Sequence, residues 1–292
     1  MTVTTPTHSP ISLVPELARV DALASDEAHS VEVSVVLPCL NEEATVAGCV
    51  ASIREVMEAL AKPYEVIVVD NASSDRSAAI AGDAGARVVH ESIPGYGSAC
   101  RAGLAAAHGR HLVLGDADGT YDFSVVPQLI SLLDGDADMV LGNRLAGQIE
   151  QGAMPWAHRR LGTPLLTGMV NLLFGVAIGD VNCGIRAITR SAYSRLDVDS
   201  TGMEFASEMV VRAAQNGLTL AEMPVDYRRR RSGEAKLRTW SDGWRHLRLV
   251  LGSWMTSGRR SRKAILIDLT ARPDMAIDPR EAEQPDANRL RI

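Results

Sequence analysis

The chain has 292 residues, 46% of them apolar and 23% charged, a globular composition that allows one large α/β domain or two small ones. Its four cysteines lie far apart and form no CxxC pair, which argues against a zinc site or a disulfide framework and fits a reducing, cytoplasmic compartment. Neither a secretory signal nor an uninterrupted apolar stretch of the ~18 residues that span a bilayer is visible, so we expect a soluble or peripheral protein.

The net charge of −6 is unevenly distributed along the chain. Between Arg228 and Lys263, twelve Lys or Arg residues stand against Glu234 and Asp242, so this segment carries a net +10 and the remainder −16. A basic segment on an acidic body predicts a phosphate-bearing partner or an anionic surface. The alternative is a solvated, solubilising run of charge.

After a leader segment, the predicted strands and helices alternate regularly along the chain. Residues 1–30 have no sustained period and are predicted to form a flexible leader. Apolar runs then alternate with amphipathic stretches. The predicted strands are Val33–Pro38, Glu65–Asp70, Arg87–His90 and His111–Asp118, with helices over Glu43–Leu60, from near Ser74, and over Gly97–His108. This alternation predicts βαβ units and a mainly parallel sheet, in which ligands bind at the carboxyl ends of the strands.

After the apolar run Met139–Arg144, residues 145–200 are richer in Gly, Pro and Arg. Pro164–Ile178 is predicted to be a buried or interfacial helix. Further on, the pattern predicts a helix at Phe205–Asn216, a strand at Leu218–Tyr227 and an amphipathic helix at Thr239–Trp254. Residues 259–292 are predicted to form a polar tail.

Asp116-Ala117-Asp118 directly follows the apolar run HLVLG. In an extended chain, residues two apart point to the same side, so both carboxylates face one direction. Hard oxygen ligands of this kind suit Mg²⁺ or Mn²⁺, which takes its other ligands from water and phosphate. The triplet therefore predicts a metal site that bridges a diphosphate, with a surface turn as the alternative.

Two other strand ends suggest nucleotide contacts. Asp70 ends a strand, where its carboxylate can accept hydrogen bonds from a base or a ribose; helix capping is its alternative role. The glycines of GYGSA, including Gly97, either let the backbone approach a nucleotide or turn the chain. Gly103 comes too late for GxGxxG, which argues against a dinucleotide-binding dehydrogenase.

These motifs together resemble a known family. Residues 33–144 look like the GT-A nucleotide-sugar-binding half of family 2 glycosyltransferases, in VVLPCLNEE, VVDNASSDRS, GYGSACRAGL and LGDADGTYDF. Residues 145–250 are similar to its polyprenol-phosphate branch, which includes the dolichol-phosphate sugar synthases, in VLGNR, GAMPWAHRR, DVNCGIRAITR, GMEFASEM and RRRRSGEAKLRTWSDGWRHLRL. The last of these departs from the branch, because Ala235 replaces the hydroxyl residue of the usual GESK.

The resemblance, together with the polar strand ends, implies a set of site residues. Donor binding is expected from Pro38, Asn41, Glu42, Asp70, Asn71, Gly97, Asp116, Ala117 and Lys236. Asp116 and Asp118 would hold the metal, and Arg144, Arg160 and Arg230 would surround phosphates. A phosphate acceptor is already anionic and needs cations for positioning. An alcohol acceptor would instead need a carboxylate base, for which Asp180 is the first candidate and Glu204 the second.

We therefore predict an α/β, Rossmann-like GT-A domain over residues 31–258, with a nucleotide-sugar and metal half (31–144) and an acceptor half (145–258). The predicted reaction transfers a hexose from a UDP- or GDP-sugar to a polyprenyl phosphate, with the inversion that the family implies. A soluble or peptide acceptor, a non-catalytic nucleotide-sugar-binding module and a nucleotidyltransferase are the alternatives; no nucleic acid partner is expected. The helix at Thr239–Trp254, with Arg259, Arg260 and Arg262, predicts either peripheral membrane association or packing on the domain.

Overall fold

The computed structural model describes residues 31–231, 239–256 and 265–267. The predicted leader at 1–30, Lys236 and the basic residues Arg259, Arg260 and Arg262 lie outside this part of the chain. Among the described residues, no helix combines the length and the apolar character that a membrane span requires.

Strands and helices alternate through most of the described chain. The strands are β1 (Val33–Cys39), β2 (Tyr64–Asp70), β3 (Arg87–His90), β4 (His111–Leu114), β5 (Met139–Asn143), β6 (Arg186–Thr189), β7 (Thr219–Pro224) and β8 (Ile265–Ile267). The α-helices are α1 (Val46–Leu60), α2 (Ser77–Asp83), α3 (Tyr96–Ala106), α4 (Val126–Asp134), α5 (Thr163–Phe174), α6 (Arg190–Tyr193), α7 (Phe205–Gln215) and α8 (Thr239–Thr256). A 3₁₀ turn at Phe123–Val125 precedes α4, and a π-helix at His158–Gly162 precedes α5.

The strands form a single sheet in the order β3-β2-β1-β4-β6-β5-β7-β8. β6 is antiparallel to both of its neighbours, and the other strand pairs are parallel. The predicted mainly parallel α/β architecture is therefore confirmed. The chain progresses outward from β1 through β2 to β3 and then returns to place β4 on the other side of β1. This reversal opens a crevice at the carboxyl ends of β1 and β4, where open α/β sheets bind their ligands.

Apolar residues cover both faces of the sheet, as expected for central parallel strands. Along β1, Val33, Val35 and Leu37 pack against α1 and α4 on one face, while Val36 packs against α3 on the other. Helices α5 and α7 extend this second layer. The core is almost wholly aliphatic, in keeping with a composition that has only 4% aromatic residues.

Several element predictions need correction. The strand before the acidic triplet ends at Leu114, so Asp116 and Asp118 lie in a loop. The predicted helix at Pro164–Ile178 spans Thr163–Phe174, because Gly175 ends it in the left-handed conformation.

Two features of the sheet bear on the predicted domain boundaries. β8 pairs with β7, so the sheet continues past residue 258 into the predicted polar tail. β6, which lies in the predicted acceptor half, is inserted between β4 and β5, so the two predicted halves share one continuous sheet.

Candidate functional site

The loops that follow β1 and β4 meet at the crevice. Thr45, at the start of α1, donates a hydrogen bond of 2.8 Å from its hydroxyl to the carbonyl oxygen of Ala117. Asn41 turns the chain in a left-handed conformation with φ of 56°, and its side-chain oxygen accepts from the backbone N–H of Ser74. Pro38 lies half-buried in β1, next to Val69 of β2. The first strand end is thus fixed to the second strand end and to the acidic loop.

Asp118 and Glu42 share a single arginine. Oδ2 of Asp118 lies 2.8 Å from Nη2 of Arg230, and Oε1 of Glu42 lies 2.6 Å from Nη1 of the same guanidinium. The other oxygen of Asp118 accepts hydrogen bonds from the backbone and hydroxyl of Thr120, at 3.0 and 2.7 Å. Both acids are buried, and such carboxylates require a cation to offset their charge. Here Arg230 supplies it.

Asp116 lies beside Asp118 and is held in place by close packing. A Cβ atom at Gly184 would overlap Oδ2 of Asp116, so only glycine fits there. Burial and the neighbouring charge of Asp118 raise the pKa of Asp116 to about 7, although Arg144 and a hydrogen bond to Tyr96 oppose the rise. A further positive charge next to Asp116 would therefore strongly favour the ionised carboxylate.

Arg144 and Asp180 form a buried ion pair behind this cluster. Nε of Arg144 lies 2.7 Å from Oδ2 of Asp180, and Nη2 lies 3.0 Å from Oδ1. The guanidinium also lies 5.2 Å from the ring centroid of Tyr227, a cation–π contact. Asp180, which was proposed as a general base, is fully buried, and Arg144 donates to both of its carboxylate oxygens. In this arrangement, Asp180 positions an arginine.

The predicted nucleotide-binding residues Asp70 and Asn71 differ in what their side chains contact. Asp70 ends β2 with its carboxylate 3.3 Å from Nδ1 of His90, at the edge of the crevice. Asn71 uses both ends of its amide within the protein: it donates to the carbonyls of Glu91 and Ile93 and accepts from the N–H of Gly95. Its side chain therefore shapes the loop before α3.

Gly97 allows a close approach between backbones of the protein itself. A Cβ atom there would overlap the carbonyl of Ser200 and lie 2.9 Å from Cβ of Phe205. In the structure, close packing between backbone segments explains why residue 97 is glycine. From the sequence, the glycine was expected either to let the backbone approach a nucleotide or to turn the chain. Arg160 is exposed on the π-helix before α5. Glu204, the second candidate base, is half-buried at the start of α7.

Sequence reasoning missed a set of side chains that hold the site together. Thr45 and Thr120 bind the acidic loop, and their spacing, three residues after Glu42 and two after Asp118, is the signal that would have found them. Tyr227 gave no comparable signal, because its role depends on tertiary contact with Arg144.

A second missed group anchors α8. The hydroxyl of Ser207 donates to Oδ1 of Asn182, at 3.1 Å, and lies 2.7 Å from Nδ1 of His246. The backbone N–H of Asn182 donates in turn to Asp180, at 3.2 Å. Because the serine proton is used by Asn182, His246 donates from Nδ1 to the serine oxygen. A continuous chain of hydrogen bonds thus connects α8 with the buried Arg144–Asp180 pair.

Known glycosyltransferases resemble this chain in sequence and in fold. The family model for Glycosyl transferase family 2 matches residues 34–197. The low-salt glycan biosynthesis hexosyltransferase Agl6 of Haloferax volcanii is 41% identical over 78% of this chain, which spans 55% of that relative's length. A dolichyl-phosphate hexose transferase of the same organism is 32% identical over 73% of this chain and 89% of its own.

Among solved structures, glucosyl-3-phosphoglycerate synthase of Mycobacterium tuberculosis, in complex with Mn²⁺, UDP and phosphoglyceric acid, has a TM-score of 0.61 with 23% identity. The match covers 85% of this chain and 84% of the synthase. At this identity the likeness concerns the fold, which is the GT-A fold that the motifs predict. With its acidic loop at the carboxyl end of β4, and with relatives in the polyprenol-phosphate branch, this chain belongs to glycosyltransferase family 2.

Proposed function

We propose that the chain transfers a hexose from a UDP- or GDP-sugar to a polyprenyl phosphate, with a divalent metal ion held by Asp116 and Asp118. One observation carries the proposal: Asp118 of the triplet and Glu42 share the guanidinium of Arg230 in the crevice at the ends of β1 and β4. A compact set of fixed charges in a ligand crevice suits the binding of a diphosphate and the stabilisation of its leaving charge.

The residues present fit Mg²⁺ or Mn²⁺. The acids at 116 and 118 are hard oxygen ligands, and the raised pKa of Asp116 reflects its burial and the neighbouring charge of Asp118, both of which a bound cation would offset. No group of three or more His, Cys, Asp or Glu side chains able to hold a metal ion occurs in the described residues. The remaining ligands would therefore come from water and the donor diphosphate, as is usual for Mg²⁺. When bound, the ion would offset the charge that develops on the leaving diphosphate.

The donor would enter across the ends of β1 and β2. Asp70, at the end of β2, would accept hydrogen bonds from the base or the ribose, and Asn41 and Glu42, which follow β1, would border the same opening. Arg230 would exchange its carboxylate partners for phosphate oxygens when the donor binds. UDP is bound by the solved relative of similar fold, which supports a nucleoside diphosphate as the leaving group.

A phosphate acceptor agrees with the state of Asp180. An alcohol acceptor must lose a proton, which calls for a free carboxylate, whereas a polyprenyl phosphate is already ionised at neutral pH. The carboxylate proposed as base is occupied by Arg144, while Arg160 remains exposed for a phosphate. The relative named for dolichyl-phosphate hexose transfer supports the same class of acceptor.

The bond changes follow directly. A phosphate oxygen of the acceptor attacks the anomeric carbon as the bond from that carbon to the diphosphate oxygen breaks. The electron pair leaves with the nucleoside diphosphate, and no proton needs to be removed from the acceptor. Attack from the face opposite the leaving group inverts the anomeric configuration. The chain's own contribution is to hold both anions at this geometry and to exclude water.

A panel assay tests the proposal. UDP- and GDP-hexoses would be incubated with the chain, Mn²⁺ or Mg²⁺, and either a polyprenyl phosphate or the matching unphosphorylated polyprenol in detergent. We expect release of UDP or GDP and formation of a glycosyl phosphate with the phosphorylated lipid alone. Transfer to the free polyprenol or to a water-soluble alcohol would contradict the acceptor assignment. Full activity in the presence of EDTA would contradict the proposed requirement for a divalent metal ion.

A further inference from the structure

The exposed apolar side chains of this protein are concentrated on one pair of helices. Of the nine large apolar side chains exposed among the described residues, eight come from α5 with its preceding turn or from α8. They are Trp156, Leu161, Leu165, Leu172, Trp244, Leu251, Trp254 and Met255. The two helices pack against each other, so these side chains belong to adjoining elements. We call this surface the α5–α8 face.

Helical spacing arranges these side chains in stripes. Leu165 and Leu172, which are 77% and 83% exposed, lie seven residues apart and therefore on the same side of α5. On α8, Trp244 and Leu251 have the same separation, and Met255 follows four residues later. Exposed side chains of this size are normally buried by a partner when they form a patch.

The charges on the α5–α8 face are of one sign. Residues 151–179 and 243–256 contain no Asp or Glu, whereas Arg159, Arg160, Arg245 and Arg248 are all exposed. The one acidic residue of α8, Asp242 in its first turn, is buried. A second copy docked face to face would bring arginines together, which disfavours a symmetric dimer. An anionic surface would be attracted by them.

We propose that the α5–α8 face docks on the headgroup region of an anionic membrane, with the leucines and tryptophans inserted and the arginines on lipid phosphates. Large apolar residues, tryptophan and arginine on one amphipathic surface are what interfacial helices combine. The inference rests on the proposed function, since it explains how a lipid-linked phosphate would reach the protein. Arg160 would then lie at the plane of the lipid phosphates.

Vesicle sedimentation tests the proposal with the full chain. Vesicles of phosphatidylcholine alone are compared with vesicles that also contain phosphatidylglycerol, and no polyprenyl phosphate is present in either. We expect binding to the anionic vesicles that weakens as salt is raised, because screening acts on the arginines. A double variant that carries Leu165→Glu and Leu172→Glu should have a partition coefficient into anionic vesicles that is about a hundredfold lower. Ile93→Glu is the matched control, because Ile93 is exposed outside the face.

Each outcome has a defined meaning. Absence of vesicle binding by the unchanged chain, or equal binding by the double variant, overturns the proposal. A dimer in light scattering that the double variant dissociates, without vesicle binding, would assign the face to a second copy. A thermal shift with the cognate nucleotide shows that the variants are folded. Vesicle binding without transfer to polyprenyl phosphate would contradict the proposed function alone, and transfer in detergent without vesicle binding would contradict this inference alone.

Discussion

Arg230 occupies the position of a counter-ion for Asp118, with 2.8 Å between Nη2 of the arginine and Oδ2 of the acid. The same guanidinium binds Glu42, which is 188 residues away in the chain. A metal ion that binds Oδ2 of Asp118 must therefore compete with Arg230. This relationship predicts that the nucleotide-free protein binds metal weakly and that the diphosphate assists metal binding by drawing the arginine away.

Arg230→Gln should therefore tighten Mn²⁺ binding to the nucleotide-free protein by about tenfold, equivalent to ~1.4 kcal/mol. Calorimetric titration of Mn²⁺ measures this directly. Arg228→Gln is the matched control, because Arg228 pairs with Asp122 and not with the triplet. Unchanged or weaker Mn²⁺ binding by Arg230→Gln would refute the competition. Turnover should fall in the same variant, since a phosphate ligand is lost.

Asp118→Asn should reduce turnover by at least about 100-fold, because ~3 kcal/mol of charge stabilisation corresponds to two powers of ten in rate. Asparagine is a sharper test than alanine here: its side-chain oxygen retains the two hydrogen bonds from Thr120. The melting temperature should change little. Nucleotide release with saturating Mn²⁺ measures the effect, and a variant that keeps its activity would remove Asp118 from the metal site.

Asp70→Asn should weaken UDP or GDP binding by about 1–3 kcal/mol, the usual effect of leaving a polar contact unpaired. Asp70 accepts a hydrogen bond of 3.3 Å from the backbone N–H of Ser73, and the side-chain oxygen of asparagine can accept the same bond. Affinity for inorganic pyrophosphate should remain unchanged, since the contact is assigned to the nucleoside. Equal losses for the nucleotide and for pyrophosphate would show that Asp70 acts elsewhere.

Asp180→Ala should destabilise the fold by about 3–5 kcal/mol, because it leaves the buried charge of Arg144 without a partner. Replacing both residues, as Asp180→Leu with Arg144→Met, should restore part of that loss. Urea denaturation of Asp180→Leu, Arg144→Met and the variant that carries both substitutions gives the coupling energy. Additive losses would indicate that the pair is not coupled, despite the two hydrogen bonds between them.

His246 predicts a pH dependence of stability. Burial lowers its pKa below 6.5, although the nearby charges of Glu204 and Asp242 oppose the shift; Arg245 also lies on this part of α8. The folded state therefore binds fewer protons than the unfolded state. Its contribution to stability is complete above pH 6.5 and is lost as the pH falls through the folded-state pKa.

His246→Asn should accordingly reduce the loss of unfolding free energy between about pH 7 and about pH 5. Asparagine keeps a donor for the hydroxyl of Ser207. His108→Asn is the control, because His108 is exposed. An identical pH dependence in wild type and His246→Asn would contradict the assignment.

The sequence was most informative where chemistry and local pattern coincide. The repeated strands and helices from Val33 to Leu114 and the acidic triplet at the end of β4 follow from periodicity and composition. β8 was missed because its three residues are too few for a periodic signal, and β6 was missed because it lies outside the regular alternation of strands and helices in the first half of the chain. The pairing of Arg230 with Glu42 depends on tertiary distance, which no spacing along the chain encodes.

Residues whose partners lie within the protein were the hardest to interpret. Asn71 and Gly97 have the composition of a nucleotide loop, yet their hydrogen bonds and close contacts are internal. Asp180 likewise has the chemistry of a general base, but its carboxylate accepts hydrogen bonds from Arg144. Such roles depend on which atoms each side chain meets after folding.

The position of β6 makes the folding of the two ends of the chain interdependent. Its residues 186–189 fill the space between β4 and β5, so the sheet cannot be completed until the ribosome has synthesised residues 144–189, the 46 residues that follow β5. A fragment ending at residue 144 would expose the unpaired edges of β4 and β5, and such edges promote aggregation. The acidic loop would then lack one of its supporting strands. We therefore expect the catalytic crevice to form in one cooperative step with the rest of the sheet, rather than as a nucleotide-binding module that folds first.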